Sequence, residues 1–326
     1  MYLRPTTVQA RVGPLFALDV NAIVLQMLLY TQLITGLHMR IVPLFVSSAL
    51  AFSAIACGDD AAGAGTLRIL LSAEETISKG VLAGPDADDT RDYAVTYSKF
   101  LVALGRVQLA RVDPSLTLSS ETVYIADMRQ VGEAGLEIAS FDHVEPGQWS
   151  QFAYQTPTAA PGAQKLAGVS DGDAEEMIDK QLTYWIEGRV EKPGKPVDFV
   201  FKVAVGSSYQ NCESNGQPGI AVSADGTSTA TITLHGDHLW FNTLARGEET
   251  TITRYAQWLV DADTDGDGKV VTEDLAAVPA EKVFPSAKGY NLSGGLFPIA
   301  TALDFVRAQL ATQGHLNGEG ECTASL

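Results

Sequence analysis

Alternating carboxylates stand at the start of the segment 263–274, whose sequence is DTDGDGKVVTED. Asp263, Asp265 and Asp267 occupy every second position, and Gly268 follows them. A small, hard, divalent cation takes six to eight oxygen ligands, and a tightly curled loop can direct alternate side chains inward. Glycine suits the sharp turn in such a loop because it has no Cβ. The spacing therefore predicts a calcium-binding loop.

The segment resembles the loop of the EF-hand family when Asp263 is taken as the first position. Lys269 then stands at position 7 and offers its backbone carbonyl, and Val270 takes the hydrophobic position 8. Asp274 stands at the last position, where the family usually has a glutamate, so the loop is similar to the dockerin-type variant. The predicted ligands are Asp263, Asp265, Asp267, Lys269 and Asp274. We expect weak binding, with a dissociation constant of about 10⁻⁴ to 10⁻³ M; an acidic surface turn without an ion is the alternative.

A close pair of histidines forms a second candidate site, in the segment His235-Gly-Asp-His238. The pair follows a predicted strand and offers two imidazole nitrogens to a transition metal such as copper or zinc. The alternative is a pair of polar residues at the rim of a sheet. Acids or cysteines from the carboxyl tail would have to complete a metal site.

An apolar run extends from Ile41 to Cys57 and ends in small residues. Ala54-Ile55-Ala56 provides small side chains at the two positions that a signal peptidase contacts. The segment 39–57 resembles a bacterial signal peptide with a lipobox-like end. That resemblance implies lipidation of Cys57 and a membrane-anchored protein of the cell envelope, periplasmic or on the outer surface. Cleavage after Ala56 without lipidation, and a retained membrane span, are the alternatives.

The segments around this signal are interpreted separately from the folded body. Residues 1–38 precede it, and we interpret them as an extension that results from a misassigned start codon. Residues 58–65 are small and polar, which is typical of a linker.

The amino-acid composition limits the classes of protein to which this chain could belong. Hydrophobic residues make up 46% of the chain, enough for a substantial core. The formal net charge of −17 at pH 7 argues against a nucleic-acid partner, because polyanions bind basic surfaces. An exported chain with Cys212 and Cys322 beyond its signal most simply forms one disulfide between them; free or metal-binding thiols are the alternative.

Hydrophobic periodicity divides the rest of the chain at about residue 240. Before that point apolar residues recur at every second position, as in the segments 66–71, 199–205 and 229–234, which is typical of half-buried strands. We predict an antiparallel β-sandwich of about eight strands over residues 66–240. After it the period becomes 3.6, and we predict a small helical EF-hand-type module over residues 241–326.

Several motifs of catalysis are missing from the sequence. It contains no H-E-x-x-H, P-loop or dinucleotide-binding pattern. The leading hypothesis is a non-enzymatic exported lipoprotein with calcium in a structural role. A copper- or zinc-binding periplasmic protein that uses His235 and His238, and a hydrolase with calcium-stabilised loops, are the other hypotheses. The protein partner is not indicated.

Overall fold

The computed structural model describes residues 63–132, 134–191, 194, 196–245 and 251–326. These residues belong to one compact unit, Asp59–Leu326. The predicted signal peptide 39–57 with Cys57, the extension 1–38 and most of the linker 58–65 lie outside them. Within the described ranges, no helix combines the length and the apolar character that crossing a bilayer requires.

The fold is mainly β, as the period-two pattern predicts. The strands are β1 (Gly65–Ala73), β2 (Ala94–Arg111), β3 (Leu116–Asp127), β4 (Leu136–Val144), β5 (Gly147–Trp149), β6 (Gln151–Thr156), β7 (Gln164–Lys165), β8 (Tyr184–Glu191), β9 (Val197–Val203), β10 (Ser207–Gln210), β11 (Glu213–Ser214), β12 (Gln217–Pro218), β13 (Ile220–Val222), β14 (Thr227–Leu234), β15 (Lys269–Val271), β16 (Gly314–Leu316) and β17 (Thr323–Ser325).

Helices are short and lie mostly in the carboxyl-terminal third. They are α1 (Glu75–Ser78), α2 (Asp171–Asp179), α3 (Gln257–Ala262), α4 (Thr272–Ala277), α5 (Ala280–Val283) and α6 (Ala302–Leu310), with 3-10 helices η1 (Asp237–Trp240) and η2 (Ser286–Lys288).

Two larger sheets and two ribbons contain the described strands. One sheet has the order β16-β14-β1-β4, and the other has the order β15-β9-β8-β2-β6-β10-β17, with β3 paired to β2 and β7. The sheets are mixed rather than purely antiparallel, because β1 pairs with β14, β15 with β9 and β3 with β7 in parallel. Parallel pairs need a crossover instead of a hairpin, and strands distant in sequence meet in this way.

The long strand β2 organises the larger sheet. It pairs with β8 through its first half and with β3 and β6 through its second half. The register shifts between Gly105 and Val107, where the chain bulges. Gly105 has φ +150°, and a Cβ there would lie 2.1 Å from the carbonyl oxygen of Thr122, so only glycine fits.

A single large hydrophobic cluster contains core residues from both larger sheets and from the helices. Trp240 and Trp258 stack within it with their ring centroids 5.4 Å apart, and Phe284 stacks on Phe305 of α6 at 4.0 Å. The segment 241–326 therefore shares its core with the strands. It is not purely helical, because β15 and β17 extend the larger sheet and β16 extends the smaller one.

A disulfide joins Cys212 to Cys322 across 110 residues, which confirms the predicted link. Cys212 is fully buried. The bond lies beside the antiparallel pair of β10 and β17, and the amide of Glu213 donates to the carbonyl of Glu321 at 2.8 Å. The disulfide thus fastens the carboxyl-terminal strand to the edge of the larger sheet.

Removal of this disulfide should lower the free energy of unfolding. The double substitution Cys212→Ser/Cys322→Ser should cost about 4 to 5 kcal/mol, because the bond closes a long loop in the unfolded chain. Urea unfolding measures the loss, and the wild-type protein under reducing conditions is the matched control. A loss below about 1 kcal/mol in both samples would contradict the expectation.

Candidate metal centres

The parallel pairing of β1 and β14 brings Glu74 beside His235. Ala73 and Leu234 are paired at the ends of the two strands, and each is followed directly by one of these polar residues. The amide of Glu74 donates to the carbonyl of Leu234 at 3.1 Å, so the register persists to the strand ends. The Glu74 carboxylate lies 3.4 Å from Nδ1 of His235.

Strand β16 adds a third histidine to the same face. His315 is the antiparallel partner of Thr233, so their side chains point to the same side of the sheet. His235 follows Thr233 by two positions and returns to that side. The amide of His235 donates to the carbonyl of Gln313 at 3.1 Å, which holds the segment before β16 against the end of β14.

A tight turn after β14 directs His238 back toward these residues. Gly236 is required in the turn, because a Cβ there would lie 2.7 Å from Ile77 Cγ1. Its amide donates to Thr76 Oγ1 at 3.2 Å, and its carbonyl accepts from the Tyr97 hydroxyl at 2.5 Å. The Tyr97 hydroxyl in turn accepts from Trp240 Nε1 at 2.8 Å, so the larger sheet fixes the start and the end of the turn.

The three imidazoles form a compact, buried cluster. His235, His238 and His315 each offer a ring nitrogen, and the three nitrogens lie within 4.8 Å of one another. Their exposed fractions are 4%, 5% and 7%. His238 Nε2 and His315 Nε2 are 3.3 Å apart. Two nitrogens bound to one tetrahedral ion at 2.0–2.1 Å would be about 3.3 to 3.4 Å apart. The spacing of this pair therefore fits a shared ion.

A cavity of about 850 Å³ opens beside the cluster. Its lining includes all three histidines and several carboxylates, namely Glu74, Asp88, Asp237, Glu319 and Glu321. Arg254 is the one Lys or Arg side chain among the described lining residues. The wall therefore carries an excess of negative charge, which favours a cation.

Arg254 forms a buried ion pair with Asp237. Its Nε donates to Asp237 Oδ2 at 2.7 Å, and its Nη1 donates to the carbonyl of Ala87 at 2.7 Å. The guanidinium also lies over the ring of Phe241, 5.0 Å from its centroid. The Arg254 and Asp237 side chains are 13% and 4% exposed, so the pair is largely shielded from water.

Burial raises the pKa of the Glu74 carboxyl above its usual range, and the nearby charge of Asp237 raises it further. His235 and a hydrogen bond from Thr76 Oγ1 at 2.6 Å act in the opposite direction and favour the carboxylate. Glu74 thus lies where a neighbouring cation would offset an unfavourable local charge.

The acidic loop forms a separate cluster between α3 and β15. Carboxylate oxygens of Asp263, Asp265 and Asp267 lie within 4.8 Å of one another. Asp263 accepts hydrogen bonds from the amides of Gly266 and Gly268 at 3.0 and 3.1 Å, which curls the loop around its first residue.

The remaining residues of the predicted loop shape its turn, pack on the sheet and form hydrogen bonds. Gly268 adopts φ +81°, as the sharp turn requires. Val270 is fully buried within β15 and anchors the loop on the sheet. The Lys269 amide donates to Asp267 Oδ1 at 2.8 Å. Asp274 accepts from the amide of Val271 at 2.8 Å and so caps the start of α4.

The histidine site is larger than the sequence pair indicated. The structure brings His235 and His238 together with His315, which lies 77 residues after His238 in the chain. Cys322 lines the same cavity, but its sulfur is bonded to Cys212. His315 lies between Gly314 and Leu316 after α6, and no sequence motif places it beside His235 and His238.

No family model, curated protein or solved structure matches this chain. The evidence for function is therefore the geometry of the histidine cluster and of the acidic loop.

Arg254→Met should destabilise the fold strongly. The substitution leaves the Asp237 carboxylate buried without its cation, which typically costs about 3 to 5 kcal/mol. Adding Asp237→Asn should recover most of the loss, because the unpaired charge is then removed. Urea unfolding of the single and double variants measures both effects.

Arg189→Met is the matched control. Arg189 pairs with Asp198, but both side chains are 49% exposed, so their separation should cost much less than separation of the buried pair. Equal losses for Arg254→Met and Arg189→Met would contradict the role of burial.

Proposed function

We propose that the protein is a non-enzymatic, exported transition-metal binding protein that binds copper or zinc through His235, His238 and His315. The observation that carries this proposal is the cluster of three buried imidazole nitrogens within 4.8 Å of one another. Imidazole suits copper and zinc, and three histidines are a common protein ligand set for such ions.

The surroundings of the cluster support the same function. Glu74 lies beside Nδ1 of His235, as a carboxylate that orients a metal-binding imidazole does. The adjoining cavity gives an ion a route from solvent and leaves room for a further ligand. Its carboxylates attract cations toward the histidines.

The acidic loop supports a second function, the binding of calcium in a structural role. Asp263, Asp265 and Asp267 supply converging carboxylate oxygens, and an ion there would join α3 to β15. The helices on either side support an EF-hand-type module. We retain the lipid anchor at Cys57, the cell-envelope location and the packing of the two larger sheets as a sandwich as parts of the proposal.

Alanine substitution of each clustered histidine should weaken metal binding. The purified chain is titrated with Cu²⁺ and with Zn²⁺ in the presence of excess calcium, and binding is followed by calorimetry. Loss of one ligand should raise the dissociation constant by about a hundredfold, since even orienting residues contribute about 10- to 100-fold. His143→Asn, which removes an exposed imidazole of β4, is the matched control. Unchanged affinity in His235→Ala, His238→Ala and His315→Ala would refute the proposal.

Calcium should stabilise the fold through the acidic loop. At one hundred times its dissociation constant the ion adds about 2.7 kcal/mol, which raises Tm by about 5 °C in a chain of this size. Asp265→Asn and Asp267→Asn should each reduce the difference in Tm between calcium and chelator, because each removes one negative charge from the ligand set.

These substitutions preserve local structure in the loop. An asparagine retains the oxygen that accepts from the amide of Asp267 or Lys269. Asp225→Asn, at an exposed turn, is the control and should retain the full shift. An equal response in all three variants would argue against the loop as the calcium site.

A further inference from the structure

We propose that Glu74, Glu319 and His235 form a second cation position beside the three-histidine position, so that the cavity binds two ions that share His235. The inference rests on the proposed function, because it places the second ion next to the first. It extends that function from a mononuclear site to a paired one.

The donor atoms of the second position converge in the same way as those of the first. A carboxylate oxygen from each glutamate and a ring nitrogen of His235 lie within 4.8 Å of one another. Glu74 is half-buried and Glu319 is exposed, so the position extends from the buried histidine toward the cavity mouth. The chain supplies these donors from three places, the ends of β1 and β14 and the turn after β16.

His235 has the chemistry to serve both positions. A neutral imidazole has one ring nitrogen free to ligate and one N–H, so His235 would bind both ions as an imidazolate, with the N–H proton released to water when the second ion binds. Nδ1 lies 3.4 Å from Glu74, and Nε2 lies 3.2 Å from the carbonyl oxygen of Gly318, the residue before Glu319. The ring is thus held between the segments that carry the two glutamates.

An independent observation on Asp237 points to a cation. Its side chain is 4% exposed and lines the same cavity. Asp237 Oδ2 is paired with Arg254, whereas Oδ1 has no hydrogen-bond partner among the described residues. Arg254 is also shared with Asp88 at 3.3 Å. Among the described lining residues, Arg254 is the one Lys or Arg side chain, and it pairs with Asp237 and Asp88 rather than with Glu74 or Glu319.

The two donor sets favour different ions. Three imidazoles suit copper or zinc, whereas two carboxylates with one imidazole suit zinc or a harder divalent cation. Zinc is compatible with both positions and serves as the probe. Water in the cavity can complete the coordination at the open side of each ion.

A simpler role for Glu74 makes a different prediction. If Glu74 only orients His235, the protein binds one ion, and Glu74→Gln weakens that ion without changing the number bound. Stoichiometry therefore separates the two accounts, whereas affinity alone would not.

The test counts zinc ions per chain by native mass spectrometry and metal analysis, with excess calcium present to saturate the acidic loop. The wild-type protein should bind two zinc ions. Glu74→Gln/Glu319→Gln should bind one, and His238→Ala/His315→Ala should also bind one. Glu321→Gln removes a carboxylate of the same cavity outside the cluster and should retain two. Circular dichroism and Tm confirm that each variant is folded.

The outcomes distinguish failure of this inference from failure of the proposed function. A single ion that survives Glu74→Gln/Glu319→Gln and is lost in His238→Ala/His315→Ala overturns the second position and leaves the histidine site intact. A single ion with the opposite response overturns the histidine site and the paired centre together. Two ions that survive the glutamate substitutions overturn the second position, and no bound ion overturns both proposals.

Discussion

The parallel pairing of β1 with β14 is the constraint on which the candidate site depends. Because both strands run in the same direction, their carboxyl ends meet at one edge, and the residues that follow them emerge together. Glu74 and His235 are the first residues beyond that edge. The antiparallel addition of β16 to β14 then places His315 on the same side. Each strand separately contributes core packing, and only their register creates the cluster.

Electrostatics and packing support each other around this edge. The Arg254–Asp237 pair offsets one buried carboxylate and packs on Phe241, so it helps to hold the turn that carries His238. Burial strengthens the interaction between charges, and it also makes an unpaired charge costly. A wall with more carboxylates than cations can persist at such a site when a bound ion supplies the missing charge.

Local features and the Cys212–Cys322 disulfide were predicted from sequence, whereas the pairing of strands distant in the chain was not. The alternation of apolar and polar residues predicted β1 and β14, because a strand buried on one face has an apolar side chain at every second position. The spacing of Asp263, Asp265 and Asp267 likewise indicated a loop whose carboxylates converge, because neighbours in the chain form it. The sequence did not indicate that Asp274 caps the start of α4, since capping and ligation use the same type of side chain.

The third histidine shows why the site itself was only half predicted. His235 and His238 are neighbours in the chain, so their proximity was visible in the sequence. His315 joins them through strand pairing across the fold, and no local pattern encodes a partner strand. The parallel pairs were missed for the same reason: alternation identifies a strand and its buried face but does not specify the strand beside it.

The pairing of β1 with β14 also determines when the cluster can exist. Ser72 and Thr233, which are hydrogen-bonded across this pair, are separated by 161 residues of chain. Contacts of such high sequence separation form late, because the loop between them must lose its entropy first. The histidines and Glu74 therefore cannot preassemble in an unfolded chain as adjacent ligands in a short peptide can. If the proposed ion needs all of these residues, it would bind after folding and would not nucleate it.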